Sequence, residues 1–156
     1  MLLLDIPDWG TLELAHLLLD LNGTIALDGE VLSGVVGRLA TLADSFTIHL
    51  ITADTHGKAA ATASRLAVQL ARIEPGDEAK QKQAHVQRLG AERVVALGNG
   101  ANDGAMLRTA ALGIAVLGPE GLAVETLQSA DVVTAGVEDA LDLLLHPKRL
   151  VATLRK

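Results

Sequence analysis

The sequence contains no cysteine and no tyrosine. Without cysteine there can be no disulfide framework, no zinc thiolate site and no cysteine nucleophile. Aromatic residues make up 1% of the chain, Trp9 and Phe46 alone. Single-stranded nucleic acid is usually held on stacked aromatics inside a basic groove. The formal net charge is -6, so neither feature is available and no nucleic-acid partner is expected. No apolar run approaches the length needed to cross a bilayer, and no membrane insertion is expected. The opening Met1–Leu4 is apolar but lacks a basic flank, and Asp5, Pro7 and Asp8 interrupt it. Nothing therefore suggests export, and a cytoplasmic protein is the expectation.

What is present is ample material for a core. Of 156 residues, 49% are hydrophobic, mostly Leu, Val and Ala, which suits one domain over 1–156. No repeat, low-complexity segment or linker divides it. Met1–Leu4 reads as an edge strand, with a turn at Pro7 and Gly10, and Leu12–Leu19 as the first central strand. Val31–Leu42 has apolar residues at helical spacing. Phe46–Ile51 reads as a strand, roughly Thr55–Leu66 as a helix with Asp54 or Thr55 as its cap, and Val68–Ile73 as a strand. A helix then runs to about Leu89 with Gly90 as its stop. Strands at Arg93–Leu97, Gly113–Leu117 and Asp131–Thr134 follow. Helices are expected at Asp103–Ala110, from Pro119 as a first helical residue, and from Val137 with a break at Pro147. Alternating strands and helices imply an α/β fold, a doubly wound parallel sheet with helices on both faces.

Chemistry-bearing residues fall at strand ends. The run Leu17-Leu18-Leu19 stops at Asp20, followed by Leu21-Asn22-Gly23-Thr24. In open α/β sheets ligands bind outside the carboxyl ends of strands. A carboxylate there can attack phosphorus and form an aspartyl-phosphate. Thr52 and the loop Gly98-Asn99-Gly100-Ala101-Asn102-Asp103 also follow apolar strands directly. Helical crossovers keep the strands pointing one way, so these loops are expected to meet at one edge. A Lys from the Asp77–Leu89 helix can join them. A carboxylate, a hydroxyl, an ammonium and an acidic loop make a phosphoryl-transfer set. The loop Gly98–Gly100 lacks the third spaced Gly of a dinucleotide fingerprint. A receiver domain places its phosphate-accepting Asp mid-chain, after an acidic pair on the first strand, so the order here does not fit one. The five histidines (His16, His49, His56, His85, His146) show no metal-ligand spacing, and His56, near an expected loop edge, reads as a surface residue.

These segments resemble the motifs of the haloacid dehalogenase superfamily of phosphohydrolases. The chain is most similar to its soluble members related to the phosphorylation domain of P-type ATPases. Asp20-Leu21-Asn22-Gly23-Thr24 corresponds to the nucleophile motif, Thr52-Ala53-Asp54 to the second and Lys82 with Val86 and Leu89 to the third. Gly98–Asp103 corresponds to the fourth motif, and Ala130-Asp131-Val132-Val133 to the usual ending. The resemblance implies a three-layer Rossmann-like sheet, a phosphorylated substrate (small molecule or protein) and magnesium. It implies Asp20 as nucleophile, with Asp20, the Asn22 carbonyl, Asn99 and Asp103 around the metal. Asp20, Asn22, Gly23, Thr52 and Lys82 are then the phosphate-binding and catalytic set, with Thr24 stabilising the nucleophile loop. Lys80, two residues from Lys82, is the alternative phosphate lysine.

Two departures matter. Asn22 stands where phosphatases carry the Asp that protonates the leaving group and activates water, and an amide does neither. General acid–base help is typically worth ~10²–10⁴ in rate, so turnover is expected to be slow. Asn99 stands where a metal-binding Asp is usual, so it brings an oxygen without charge. The segments between Thr24 and Thr52 and between Thr52 and Lys82 are too short for a cap domain. The site is expected to be open, covered by a neighbouring subunit in a homo-oligomer or matched to a large substrate. The resulting reading is a slow magnesium-dependent phosphohydrolase. The alternative is a catalytically impaired phosphate-binding or regulatory module on the same fold.

Overall fold

The computed structural model describes residues 1–54 and 57–156. Its first half contains β1 (Leu2–Ile6), β2 (Gly10–Leu14), β3 (His16–Asp20), β4 (Ala26–Leu27), β5 (Glu30–Val31), α1 (Val35–Leu42), β6 (Thr47–Thr52), α2 (Ala59–Leu66) and β7 (Gln69–Arg72). Next come α3 (Glu78–Leu89), β8 (Val94–Gly98), α4 (Gly104–Thr109), β9 (Leu112–Val116), α5 (Val124–Leu127), β10 (Val132–Thr134), α6 (Val137–Leu145) and α7 (Pro147–Leu154). Six strands form one parallel sheet in the order β10-β9-β8-β3-β6-β7. The chain leaves β3 toward β6 and β7, then returns to β8 on the other side of β3. That reversal is a topological switch point, where doubly wound sheets open a crevice at their carboxyl ends.

Alternation along β3 divides the interior in two. Leu17 and Leu19 point into a core with Val95, Leu97, Ile114, Leu39 of α1 and Leu141 of α6. Leu18 points into a second core with Ile51, Ala96, Val86 of α3 and Met106 and Leu107 of α4. The successive side chains of a strand face opposite ways, so His16 and Asp20 share the second face with Leu18. The sheet lies between helices on both sides, three layers in all. Among the described residues no cap domain is present. Between β3 and α1 there is only the two-stranded β4–β5 ribbon. No helix of the described residues is long and apolar enough to cross a membrane.

Several elements differ from the sequence expectation. The strand expected over Leu12–Leu19 is two strands broken at Ala15. β1 and β2 pair antiparallel as a hairpin of their own, so Met1–Leu4 does not contribute an edge to the main sheet. At Ala15 the chain changes partners: its N–H donates to Arg93 and its carbonyl accepts from Thr47. Val31 belongs to the β4–β5 ribbon, so the helix expected from Val31 begins at Val35. Pro119 does not open a helix. It lies in a tight turn in which the Gly121 N–H donates to the Gly118 carbonyl at 2.9 Å, and α5 begins at Val124. Proline favours that inner turn position for the same reason it favours a helix start, its fixed φ. Thr55 and His56 lie outside the described residues; the helix expected from Thr55 begins at Ala59.

Candidate active site

Asp20 ends β3, Thr52 ends β6 and Asn99 follows β8, so adjacent parallel strands deliver all three to one edge. The nucleophile loop turns back at once. The Leu21 carbonyl accepts from the N–H groups of Ile25 and Ala26, and the Gly23 N–H donates to the Ala26 carbonyl at 2.8 Å. Gly23 makes this turn at φ +80, in the left-handed region that favours glycine. A Cβ on Gly23 would also run into the Glu120 carboxylate.

Helix α3 brings Lys82 over the sheet. Its ammonium is 2% exposed and donates to Asp20 Oδ1 and to Asp103 Oδ1, each at 2.7 Å. Asp103 is fully buried, and its Oδ2 accepts from the backbone N–H groups of Asn99 and Gly100, each at 3.0 Å. The approach depends on Gly98, because a Cβ there would lie 2.6 Å from the Asp103 side chain. Lys80 is on the outer side of the helix, exposed and 3.7 Å from Asp77. Of the two lysines, the structure brings only Lys82 to Asp20.

The remaining candidates close the site. The Thr24 hydroxyl is 3.0 Å from Asn99 Oδ1 and 3.3 Å from Asp20 Oδ2. Its single proton serves one of them at a time. Thr52 is buried, and its Oγ1 accepts from the Asp54 N–H at 3.2 Å. Asp54 caps α2 from a distance, its Oδ1 accepting from the Lys58 N–H at 3.1 Å. A cavity of about 250 Å³ is lined by Asp20, Asn22, Thr52, Lys82 and Asn99 together with Asp54, Glu78, Asn102 and Glu120. A wider groove of about 650 Å³ adjoins it past Asn22, between Asp28, Lys58, Thr62 and Glu120.

One lysine faces two buried carboxylates, so the cluster is short of positive charge. Burial, and then the charge of Asp103, push the Asp20 carboxyl up to about 7 against the pull of Lys82. Burial would lower Lys82, but Asp20 and Asp103 outweigh it and hold its pKa above the usual lysine value. A cation bound beside Asp20 would ease the same imbalance. The cavity lining offers hard oxygen donors, the Asp20 carboxylate and the side-chain amides of Asn22 and Asn99. Hard donors of this kind suit magnesium. Among the described residues no group of three or more His, Cys, Asp or Glu is placed to hold a metal ion. Amide and carbonyl oxygens would have to complete any such site.

Three residues at the site were not singled out from sequence. Asn102 Nδ2 donates to Glu78 Oε2 at 2.6 Å, and Asn102 Oδ1 lies 3.4 Å from Lys82 Nζ. Glu78 stands one helical turn before Lys82, a spacing that could have flagged it. Glu120 arrives from the Gly118–Gly121 turn, and the Gly-Pro-Glu-Gly signature of that turn was the available signal.

No protein-family model matches the chain. It is 48% identical over 64 residues to the uncharacterized protein MJ0073 of Methanocaldococcus jannaschii, covering 41% of this chain and 69% of that one. It is 51% identical over 39 residues to the uncharacterized protein MJ0072 of the same organism, covering 25% and 89%. Among solved structures, it resembles the cobalt-bound deoxy-D-mannose-octulosonate 8-phosphate phosphatase of Haemophilus influenzae. There the TM-score is 0.72 at 11% identity, over 92% of this chain and 94% of that one. It also resembles a HAD family hydrolase from Streptomyces avermitilis, with TM-score 0.63 at 23% identity, over 92% and 85%. A zinc-transporting P-type ATPase matches with TM-score 0.64 at 22% identity, over 79% of this chain and 20% of that one. The chain has the capless haloacid dehalogenase fold, and it belongs to the family of MJ0073.

Proposed function

We propose that the chain is a phosphohydrolase that works through an aspartyl-phosphate on Asp20, with a divalent cation, magnesium by its donor chemistry. The observation that carries this reading is the meeting of Asp20, Thr52, Lys82 and Asn99 around one cavity at the carboxyl ends of the strands. An Asp20 oxygen bonds to phosphorus as the bond to the leaving oxygen breaks. Water then attacks phosphorus, which releases phosphate and restores the carboxylate. The Thr52 hydroxyl and the Lys82 ammonium hold phosphate oxygens, and Asp103 holds Lys82. Held by Asp20, Asn99 and the Asn22 carbonyl, magnesium would offset the repulsion between carboxylate and phosphate. Asn22 can neither protonate the leaving oxygen nor activate water, so solvent supplies the proton to the leaving oxygen and takes one from the attacking water, and turnover is slow. The adjoining groove takes the leaving group, and the open site suits a large substrate or cover by a second subunit. The chain acts as one domain.

The test is phosphate release from an aryl phosphate with magnesium. Asp20→Asn should abolish it, and equal rates in the two proteins would remove the reading. Asn22→Asp should speed turnover by up to ~10²–10⁴. The two amides, Asn22 and Asn99, favour a second reading, a phosphate-binding or regulatory module. Magnesium-dependent binding of beryllofluoride without turnover would select it.

A further inference from the structure

Asn99 leaves the site one carboxylate short, and the structure shows where another lies. Asp103 is committed to Lys82 and to two backbone N–H groups, and Asp20 shares Lys82. A dication at Asn99 Oδ1 would meet only the net charge of that cluster, two carboxylates against one ammonium. Yet Glu120 lies against Gly23, close enough that its carboxylate would collide with a Cβ there, and the Asn99 amide nitrogen would lie 2.9 Å from the same point. Glu120 lines both the cavity and the groove beside it.

The turn that carries Glu120 is built on Asn99 itself. Asn99 Nδ2 donates to the Gly121 carbonyl at 3.2 Å, and the Ala123 N–H donates to the Asn99 carbonyl at 2.9 Å. On its other side the turn abuts the nucleophile loop, where a Cβ on Gly118 would stand 3.1 Å from the Gly23 carbonyl. An aspartate at 99 has no side-chain N–H and cannot make the bond to Gly121. The amide thus does two things at once: its oxygen faces Thr24, and its nitrogen fixes the turn that presents Glu120.

We propose that Glu120 supplies the carboxylate charge toward a divalent cation that position 99 lacks, held in place by the Asn99 amide. The inference rests on the cation-dependent reading above and deepens it. Affinity for a dication rises with the number of charged ligands, and removing a single supporting group typically costs about 10–100-fold.

The test is calorimetric titration of magnesium, without any phosphate compound, into the wild-type chain, Glu120→Gln and Asp20→Asn. Glu120→Gln should bind magnesium at least about tenfold more weakly. Glu120 is exposed, so the melting temperature of that variant should not change. Adding Asn99→Asp to Glu120→Gln should recover affinity, because the charge returns to its alternative position. If Glu120→Gln binds as tightly as wild type while Asp20→Asn loses binding, this inference fails and the phosphohydrolase reading stands. If wild type binds no magnesium, the cation reading fails and takes this inference with it.

Discussion

Helix α3 covers one buried and one half-buried polar cluster, and its residues Lys82 and His85 reach one each. Lys82 meets Asp20 and Asp103 at the carboxyl edge of the sheet. One turn along, His85 meets His49, ring centroids 5.8 Å apart and T-shaped. His49 Nε2 lies 3.2 Å from His16 Nδ1. The same strand supplies both clusters: His16 begins β3 and Asp20 ends it. The chemistry differs. Burial lowers His49 to about 4, helped by His16 and His85. It also lowers His16, with Arg93 adding to the effect, and His85, with Arg88 and His16 adding. All three rings are therefore neutral at pH 7. The carboxylates reach no such rest: Asp20 is pushed up to about 7 while Lys82 stays charged. Burial removes charge where nothing holds it and concentrates it where an ion pair does. The second case is the one that can do phosphoryl transfer.

The largest effect should come from removing the ammonium. Lys82→Met leaves Asp20 and Asp103 buried side by side without a counter-charge. Breaking a buried pair in this way typically costs about 3–5 kcal/mol. Urea denaturation at pH 7.5 measures it, and phosphate release should vanish in parallel. A stability loss below about 1 kcal/mol would mean that the cluster is not held together by Lys82.

The unequal legibility of the two clusters has a physical reason. Asp20, Thr52 and Asn99 could be placed from the chain because each follows an apolar strand, and parallel strands bring their ends together without further information. A lysine of α3 was expected because that helix follows the strands, but the chain offers Lys80 and Lys82 there and only the family resemblance singles out Lys82. His16, His49 and His85 follow no local spacing and meet only through strand register and helix packing. The Glu120 turn was hidden because Pro119 fits a helix start as well as a turn. The hairpin β1–β2 was hidden because Leu12–Leu19 contains no Gly, Pro, Asn or Asp to mark a break, and only the change of hydrogen-bond partners at Ala15 divides it.

The two clusters should respond to pH in opposite directions. His49 has a folded pKa of about 4, below its ordinary 6.5. Its neutral form stabilises the fold above pH 6.5, and that contribution is lost as pH falls toward 4. A shift of this size corresponds to about 3 kcal/mol. Asp20 is raised, so its contribution is full below its ordinary 3.8 and is lost as pH rises through about 7. In wild type the two partly cancel. His49→Leu should remove its share of the acid-labile part, leaving those of His16 and His85, and so raise stability at pH 5 relative to pH 7.5. Urea midpoints across that range measure it. An unchanged pH profile in the variant would show that His49 does not carry the acid sensitivity.

A smaller change, of opposite sign, is expected from Asp20→Asn. The asparagine oxygen can still accept from Lys82, and its nitrogen can donate to the Thr24 hydroxyl, so no buried polar atom need lose its partner. What disappears is one of two like charges competing for a single ammonium. Lys82 and Asp103 remain as a balanced pair. The variant should therefore be more stable than wild type at pH 7.5, by about 0.5–2 kcal/mol, although it lacks the proposed nucleophile. Such a gain is typical where function holds a site away from its stability optimum. The gain should shrink as pH falls, because protonation removes the same charge from the wild-type carboxyl. A variant less stable than wild type at pH 7.5 would mean that Asp20 contributes more through its ion pair than it costs through its repulsion of Asp103. The contrast between a neutral and a strained cluster under α3 would then be lost.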